Sequence, residues 1–193
     1  MINALSFSLI VPVAALLFVW WLYRWIMAKD PGSAEMQEIG GAIQEGAAAF
    51  LKRQYKTIAV IGIVVAVALW VMYSLLGKGD LGQHTAVSFL LGAILSAVSG
   101  VIGMMVAVRT NVRSAAGAKH GFAEALTIAL RGGAVSGITI VALSLIGIAG
   151  LFMVYQWLGF ATEEIPSLIV GFGFGASLVA LFTSFTALAI SAS

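Results

Sequence analysis

Residues Ala134–Leu158, AVSGITIVALSLIGIAGLFMVYQWL, decide what kind of molecule this is. No residue in that stretch is charged, and about 20 mostly apolar residues coiled as a helix suffice to cross the hydrocarbon core of a bilayer. Four more runs of the same character lie on either side of it, at residues 5–27, 57–76, 85–108 and 165–190. The whole chain follows suit: of 193 residues, 61% are hydrophobic and 9% charged, with a mean hydropathy of +1.07. A soluble domain carries about 25% charged residues, so this chain has too few polar groups to cover a surface that faces water. The expected fold class is all-α, a polytopic transmembrane helical bundle of about five spans forming a single transmembrane domain over 1–193. Met1–Met27 lacks a basic leader region and its apolar run is longer than that of a signal peptide, so it reads as a retained span.

Between the spans the chain is punctuated by turn formers. Gly77-Lys78-Gly79-Asp80-Leu81-Gly82 reads as a tight connection between the second and third spans. Thr162-Glu163-Glu164-Ile165-Pro166 reads as the start of the fifth, with Thr162 as cap, the acids at the positive end and Pro166 in the first turn. Lysine and arginine set the expected orientation. Lys29, Lys52, Arg53 and Lys56 follow the first span, and Arg109, Arg113, Lys119 and Arg131 follow the third, whereas the other two connections hold only Lys78. The expectation is an N-terminus outside and both basic loops in the cytoplasm, at a bacterial-type cell membrane. Trp20, Trp21, Tyr23 and Trp25 then form an inner aromatic belt, and Tyr155 and Trp157 an outer one. Residues 31–56 read as a cytoplasmic amphipathic helix. Pro31-Gly32-Ser33 supplies a stop and a cap, and Met36, Ile39, Ile43, Ala47, Phe50 and Leu51 recur at helical spacing. It either continues unbroken into the second span as a projecting rod or lies on the headgroups.

The candidate chemistry is sparse. There is no cysteine, hence no disulfide, thiolate ligand or thiol nucleophile. The aspartates are Asp30 and Asp80, which the expected topology puts on opposite sides of the membrane. Glu163 and Glu164 are outside, while Glu35, Glu38, Glu45 and Glu124 are inside. No pair is placed to share a hard cation. No span carries an ionisable residue at its middle, where an ion path would show one. Glu124 and Arg131 are seven apart on one helical face and read as an interfacial salt bridge. His84 and His120 are isolated, and neither reads as a metal ligand. Arg109, Arg113 and Lys119, with Asn111 and His120, could attract a phosphate compound, but the same residues are what the positive-inside rule places there; Lys52, Arg53 and Lys56 read the same way. Gly171-Phe172-Gly173-Phe174-Gly175 is no nucleotide fingerprint, lacking a preceding strand and the final glycine. Gly133 and Gly137, and Gly171 and Gly175, have the spacing that lets membrane helices approach closely; these four are the helix-packing candidates.

Three stretches resemble the membrane-integral, ion-translocating pyrophosphatases. The first is Glu45-Gly46-Ala47-Ala48-Ala49-Phe50-Leu51-Lys52-Arg53-Gln54-Tyr55-Lys56-Thr57. The second is Gly103-Met104-Met105-Val106-Ala107-Val108-Arg109-Thr110-Asn111-Val112-Arg113, with Arg131-Gly132-Gly133-Ala134-Val135 after it. The third is Gly171-Phe172-Gly173-Phe174-Gly175-Ala176-Ser177, running on through Ala180-Leu181-Phe182. The resemblance covers nearly all of residues 1–182. It implies a magnesium-dependent homodimeric pump that hydrolyses pyrophosphate and moves protons or sodium ions, with more membrane helices per subunit than this chain holds. The first four helices would belong to an outer supporting ring and the fifth to the ring lining the ion path.

After Phe182 the family pattern calls for an arginine near position 184, then a lysine and an aspartate-rich substrate motif. Residues 183–193 read instead Thr183-Ser184-Phe185-Thr186-Ala187-Leu188-Ala189-Ile190-Ser191-Ala192-Ser193. On this reading no catalytic, substrate-binding or metal residue can be assigned, and no magnesium is bound by this chain alone. The expectation is the N-terminal scaffold of such a pump, truncated and inactive by itself. The alternative is a non-catalytic membrane subunit or split-pump partner acting through helix packing; a small drug-type transporter is weaker, lacking an intramembrane carboxylate. The expected partners are the lipid bilayer, a second copy, and the remaining helices of the pump or a separately encoded C-terminal part, with no nucleic acid.

Overall fold

The computed structural model describes residues 2–191, with side chains for 7–183. These residues form five α-helices: α1 (Ile2–Met27), α2 (Ala34–Leu75), α3 (Gly79–Gly117), α4 (Phe122–Trp157) and α5 (Ile165–Ser191). Each is long and apolar enough to cross a membrane. The amphipathic segment and the second span are one unbroken helix of 42 residues. At 1.5 Å per residue that is about 63 Å, roughly twice the hydrocarbon thickness. Its start is built as the sequence suggests. Ser33 Oγ accepts from Met36 N at 3.4 Å. Asp30 Oδ1 accepts from Gly32 N at 2.8 Å, closing a turn at the positive-φ Gly32.

Two sequence expectations about helix ends are corrected. Arg109 and Arg113 are not in a loop: α3 continues to Gly117 and α4 begins at Phe122, leaving only residues 118–121 as a connection. Charge ends a hydropathic run without ending a helix, since lysine, arginine and glutamate are good helix formers. Thr162 is not the cap of α5; it lies in the turn before it, and the helix is entered through the carbonyls of Ala161 and Glu164, which accept from Ile165 N and Ser167 N.

Two helices end in the same device. Lys78 N donates to Tyr73 O at 2.9 Å and Gly77 N to Ser74 O at 3.0 Å; Phe160 N donates to Tyr155 O and Gly159 N to Gln156 O, both at 3.1 Å. Each is a Schellman motif, which needs a left-handed residue just past the helix. Gly77 and Gly159 supply it, at φ 73° and 91°.

The chain divides into two compact units. One comprises residues 1–10, 54–98 and 143–193. Its core gathers Leu151, Tyr155, Ile165, Leu168 and Phe172, with Ala66, Ala86 and Phe89 as a second cluster. The other comprises residues 11–53 and 99–142, around Val19, Leu22, Ile26, Val106 and Val135. Large apolar side chains remain outside both cores, among them Ile63, Val64 and Trp70 on α2. Such a surface is costly in water and natural in lipid.

Replacing Gly77 by Ala should lower the stability of the detergent-solubilised chain by about 1 kcal/mol, because an L side chain is strained in the left-handed region. Gly46 lies exposed within α2, where a Cβ meets nothing within 4 Å, so Gly46→Ala should be neutral or stabilising. Thermal unfolding midpoints compare the two.

Candidate functional site

In the first unit α3 and α5 meet backbone to backbone. A Cβ built on Gly171 would overlap the carbonyl oxygen of Thr85, and one on Gly175 the carbonyl oxygen of Phe89. From the other side, a Cβ on Gly92 would overlap the carbonyl of Phe172. The seam is therefore made by glycines of both helices, and Ser96 Oγ adds a hydrogen bond of 3.1 Å to Ala176 O across it. Phe172, between the two α5 glycines, is buried and lies against α4, where a Cβ on Gly147 would strike its ring. Gly173 faces open space and Phe174 is exposed. The alternation Gly-Phe-Gly-Phe-Gly thus gives α5 a thin face towards α3 and one ring that locks into α4.

Above that seam sits a polar hub. Tyr155 was expected at an aromatic belt; instead its ring is 2% exposed. Its hydroxyl donates to His84 O at 2.9 Å and lies 2.8 Å from Ser88 Oγ. A phenol has one proton, so Ser88 must be the donor in the second bond. The rings of His84 and Phe160 meet Tyr155 edge to face, with centroids at 5.3 and 5.8 Å. His84 is thus a packed aromatic element. Trp157, two residues on, is the exposed ring.

In the second unit the basic residues are distributed along α1, α2, α3 and α4 and the connections between them. Arg109 Nη1 donates to Tyr23 Oη at 2.7 Å, and Arg113 Nη1 to Arg109 O at 3.0 Å. Lys119 and His120 are exposed in the α3–α4 connection, and Asn111 is exposed on α3, so the candidate phosphate-attracting set is not gathered into one site. The expected Glu124–Arg131 bridge is replaced by another: Glu124 Oε1 pairs with Lys29 Nζ at 3.2 Å, while Arg131 stacks on Trp25 at 3.7 Å from the ring centroid. Seven residues is two helical turns, about 10.5 Å at 1.5 Å per residue, and α1 and the turn after it offer nearer partners to both groups.

Among the described residues Gly133 and Gly137 make no close approach to a neighbouring helix. A Cβ on either meets nothing within 4 Å. The thin position is Gly132, where a Cβ would come 2.5 Å from Thr110 Cγ2 of α3. Spacing shows which small residues share a face, but not which face is turned to a neighbour. The same holds on α2, where Ile39 and Ile43 are exposed while Gly40 approaches α3 so closely that a Cβ would lie 2.5 Å from Val112 Cγ2.

Among the described residues no three His, Asp or Glu side chains gather to hold a metal. Asp30 is engaged by the Gly32 amide and Glu124 by Lys29. Ser184 and the residues after it, where the sequence was expected to leave the family pattern, lie outside the residues whose side chains are described.

Five long apolar helices with glycine-thinned seams define a multi-pass integral membrane protein. The family profile described as Inorganic H+ pyrophosphatase matches residues 13–186, and the chain belongs to that family. It is 50% identical over 183 residues to the K(+)-insensitive pyrophosphate-energized proton pump of Caldanaerobacter subterraneus subsp. tengcongensis, an alignment covering 90% of this chain and 26% of the relative. It is 50% identical over 172 residues to the K(+)-insensitive pyrophosphate-energized proton pump 2 of Moorella thermoacetica, covering 88% and 24%. With the pyrophosphate-energized membrane proton pump 3 of Arabidopsis thaliana it shares 38% identity over 194 residues, covering 91% and 24%. The chain spans about a quarter of the length of these relatives and matches an N-terminal portion of the pump.

Gly175→Ala should destabilise the chain by about 1–3 kcal/mol, since its Cβ has only backbone to displace. Gly173→Ala, two residues away with open space, should not. Removing the hub hydroxyl with Tyr155→Phe should cost about 1 kcal/mol. Denaturation of the purified chain in detergent measures all three.

Proposed function

We propose that this chain is the membrane scaffold of a pyrophosphate-energised proton pump and that it does not hydrolyse pyrophosphate alone. What carries the reading is coverage: half the aligned residues match proton pumps over about a quarter of their length, and the carboxylates within that quarter are engaged or scattered. Pyrophosphate hydrolysis with magnesium requires clustered carboxylates to hold the metal against the phosphates. In this reading they come from chain outside the matched quarter, and α1 to α4 support α5 at the edge of the path. The basic helix ends face the cytoplasm, in accord with the lysine and arginine distribution.

The partner is the rest of the pump. A groove of about 370 Å³ between α2, α3 and α5 is lined by Val65, Leu69, Phe89, Val170, Phe174 and Leu178 and offers an apolar seat for a further helix.

The purified chain in detergent with excess magnesium should release phosphate from pyrophosphate no faster than buffer. Turnover above that background would overturn the proposal. Co-expression with a segment supplying the remaining three-quarters of a relative should restore pyrophosphate-dependent acidification of vesicles.

A further inference from the structure

At one end of the second unit two cations crowd one indole. The Arg131 guanidinium lies 3.7 Å from the centroid of the Trp25 ring, and Lys29 Nζ lies 4.7 Å from the same centroid. The acid beside them is Glu124, 3.2 Å from Lys29 Nζ. Two positive charges and one negative leave one cation uncompensated. It is Arg131, which among the described residues has neither a carboxylate within 4.0 Å nor a hydrogen bond. Trp25 packs against the cluster of Leu22, Ile26 and Val135, so the ring fixes where that charge sits.

The helix that carries Trp25 also carries an apolar track leading to it. Phe18, Trp21 and Trp25 are spaced i, i+3 and i+7, which places them on one face of α1. Phe18 and Trp21 stack with centroids 5.6 Å apart, and both are exposed. Exposed indoles settle at the headgroup level of a bilayer, where one side is apolar and the other wet. The guanidinium lies over the ring, and among the described residues its N–H groups have no hydrogen-bond partner; a planar guanidinium edge matches two oxygens of a phosphate.

We propose that Trp25, Arg131 and Lys29 form a headgroup site for an anionic phospholipid. The lipid phosphate accepts from the free edge of Arg131, and an acyl chain runs along Trp21 and Phe18. Lys29 is held in reserve by Glu124. Basic pockets between membrane helices at the headgroup level recognise such lipids.

The test uses the delipidated full chain in detergent, titrated with phosphatidylglycerol or phosphatidylcholine and read by native mass spectrometry. Phosphatidylglycerol should bind in preference. Arg131→Gln should weaken it about fivefold, the usual effect of one basic residue near an anionic surface. Lys119→Gln removes the same charge from an exposed position and should leave binding unchanged. Glu124→Gln frees Lys29 and should tighten binding, a gain that misfolding cannot produce. Excess inorganic phosphate or pyrophosphate should not displace the lipid. Equal binding by wild type and Arg131→Gln, equal loss in Lys119→Gln, no gain in Glu124→Gln, or displacement by either free anion would each overturn the proposal.

Discussion

The carbonyl oxygens of Thr85 and Phe89 lie where the side chains of residues 171 and 175 would be if those residues were not glycine. Lipid tails are as apolar as leucine, so helices in a bilayer gain little by burying leucine against each other. What remains is dispersion between closely packed atoms and a few hydrogen bonds, and both fall away steeply with distance. The first unit depends on that contact. With α5 against α3, Phe172 can reach Gly147, and Ser96 can donate to Ala176 O. The second unit repeats the principle at Gly40 against Val112 and Gly132 against Thr110.

Polar groups are placed with matching economy. The Tyr155 hydroxyl, Ser88 Oγ and the His84 carbonyl satisfy one another inside the first unit. Thr110 and Thr139 return their hydroxyls to Val106 O and Val135 O one turn back on their own helices, so they need no partner elsewhere. An unpaired donor or acceptor in hydrocarbon would cost several kcal/mol. The charged groups lie towards one end of the second unit, where Arg109 meets a phenol, Arg131 an indole and Lys29 a carboxylate.

The number and placing of the helices were legible in the sequence because composition and length suffice for that. Where they end was less so: the hydropathic run stops at Val108, but the helix runs on to Gly117 through arginines that prefer helix as much as leucine does. Rotation about the helix axis was the least legible. Gly171 and Gly175 were picked from spacing and lie at a seam, yet Gly133 and Gly137, picked on the same ground, do not, and Gly132 beside them does. Gly82, Gly92 and Gly147 carried no spacing signal, since each makes room for a partner on another helix. The Trp25 site was hidden for the same reason: Lys29 and Glu124 are 95 residues apart, and only the fold brings them together.

The connection of four residues between α3 and α4 imposes an order of assembly. Ser114 Oγ donates to Ala125 O across it, joining residues 11 apart in sequence. A loop of that size closes in about 10–100 ns, far faster than residues are added during synthesis. The bond from Ser96 to Ala176 joins residues 80 apart, so it waits until α5 has been made. The corner can therefore be set while α5 is still absent, and α5 is received afterwards by a surface already shaped. Glycine suits that late arrival, since a bare backbone has no rotamer left to choose when its neighbour comes.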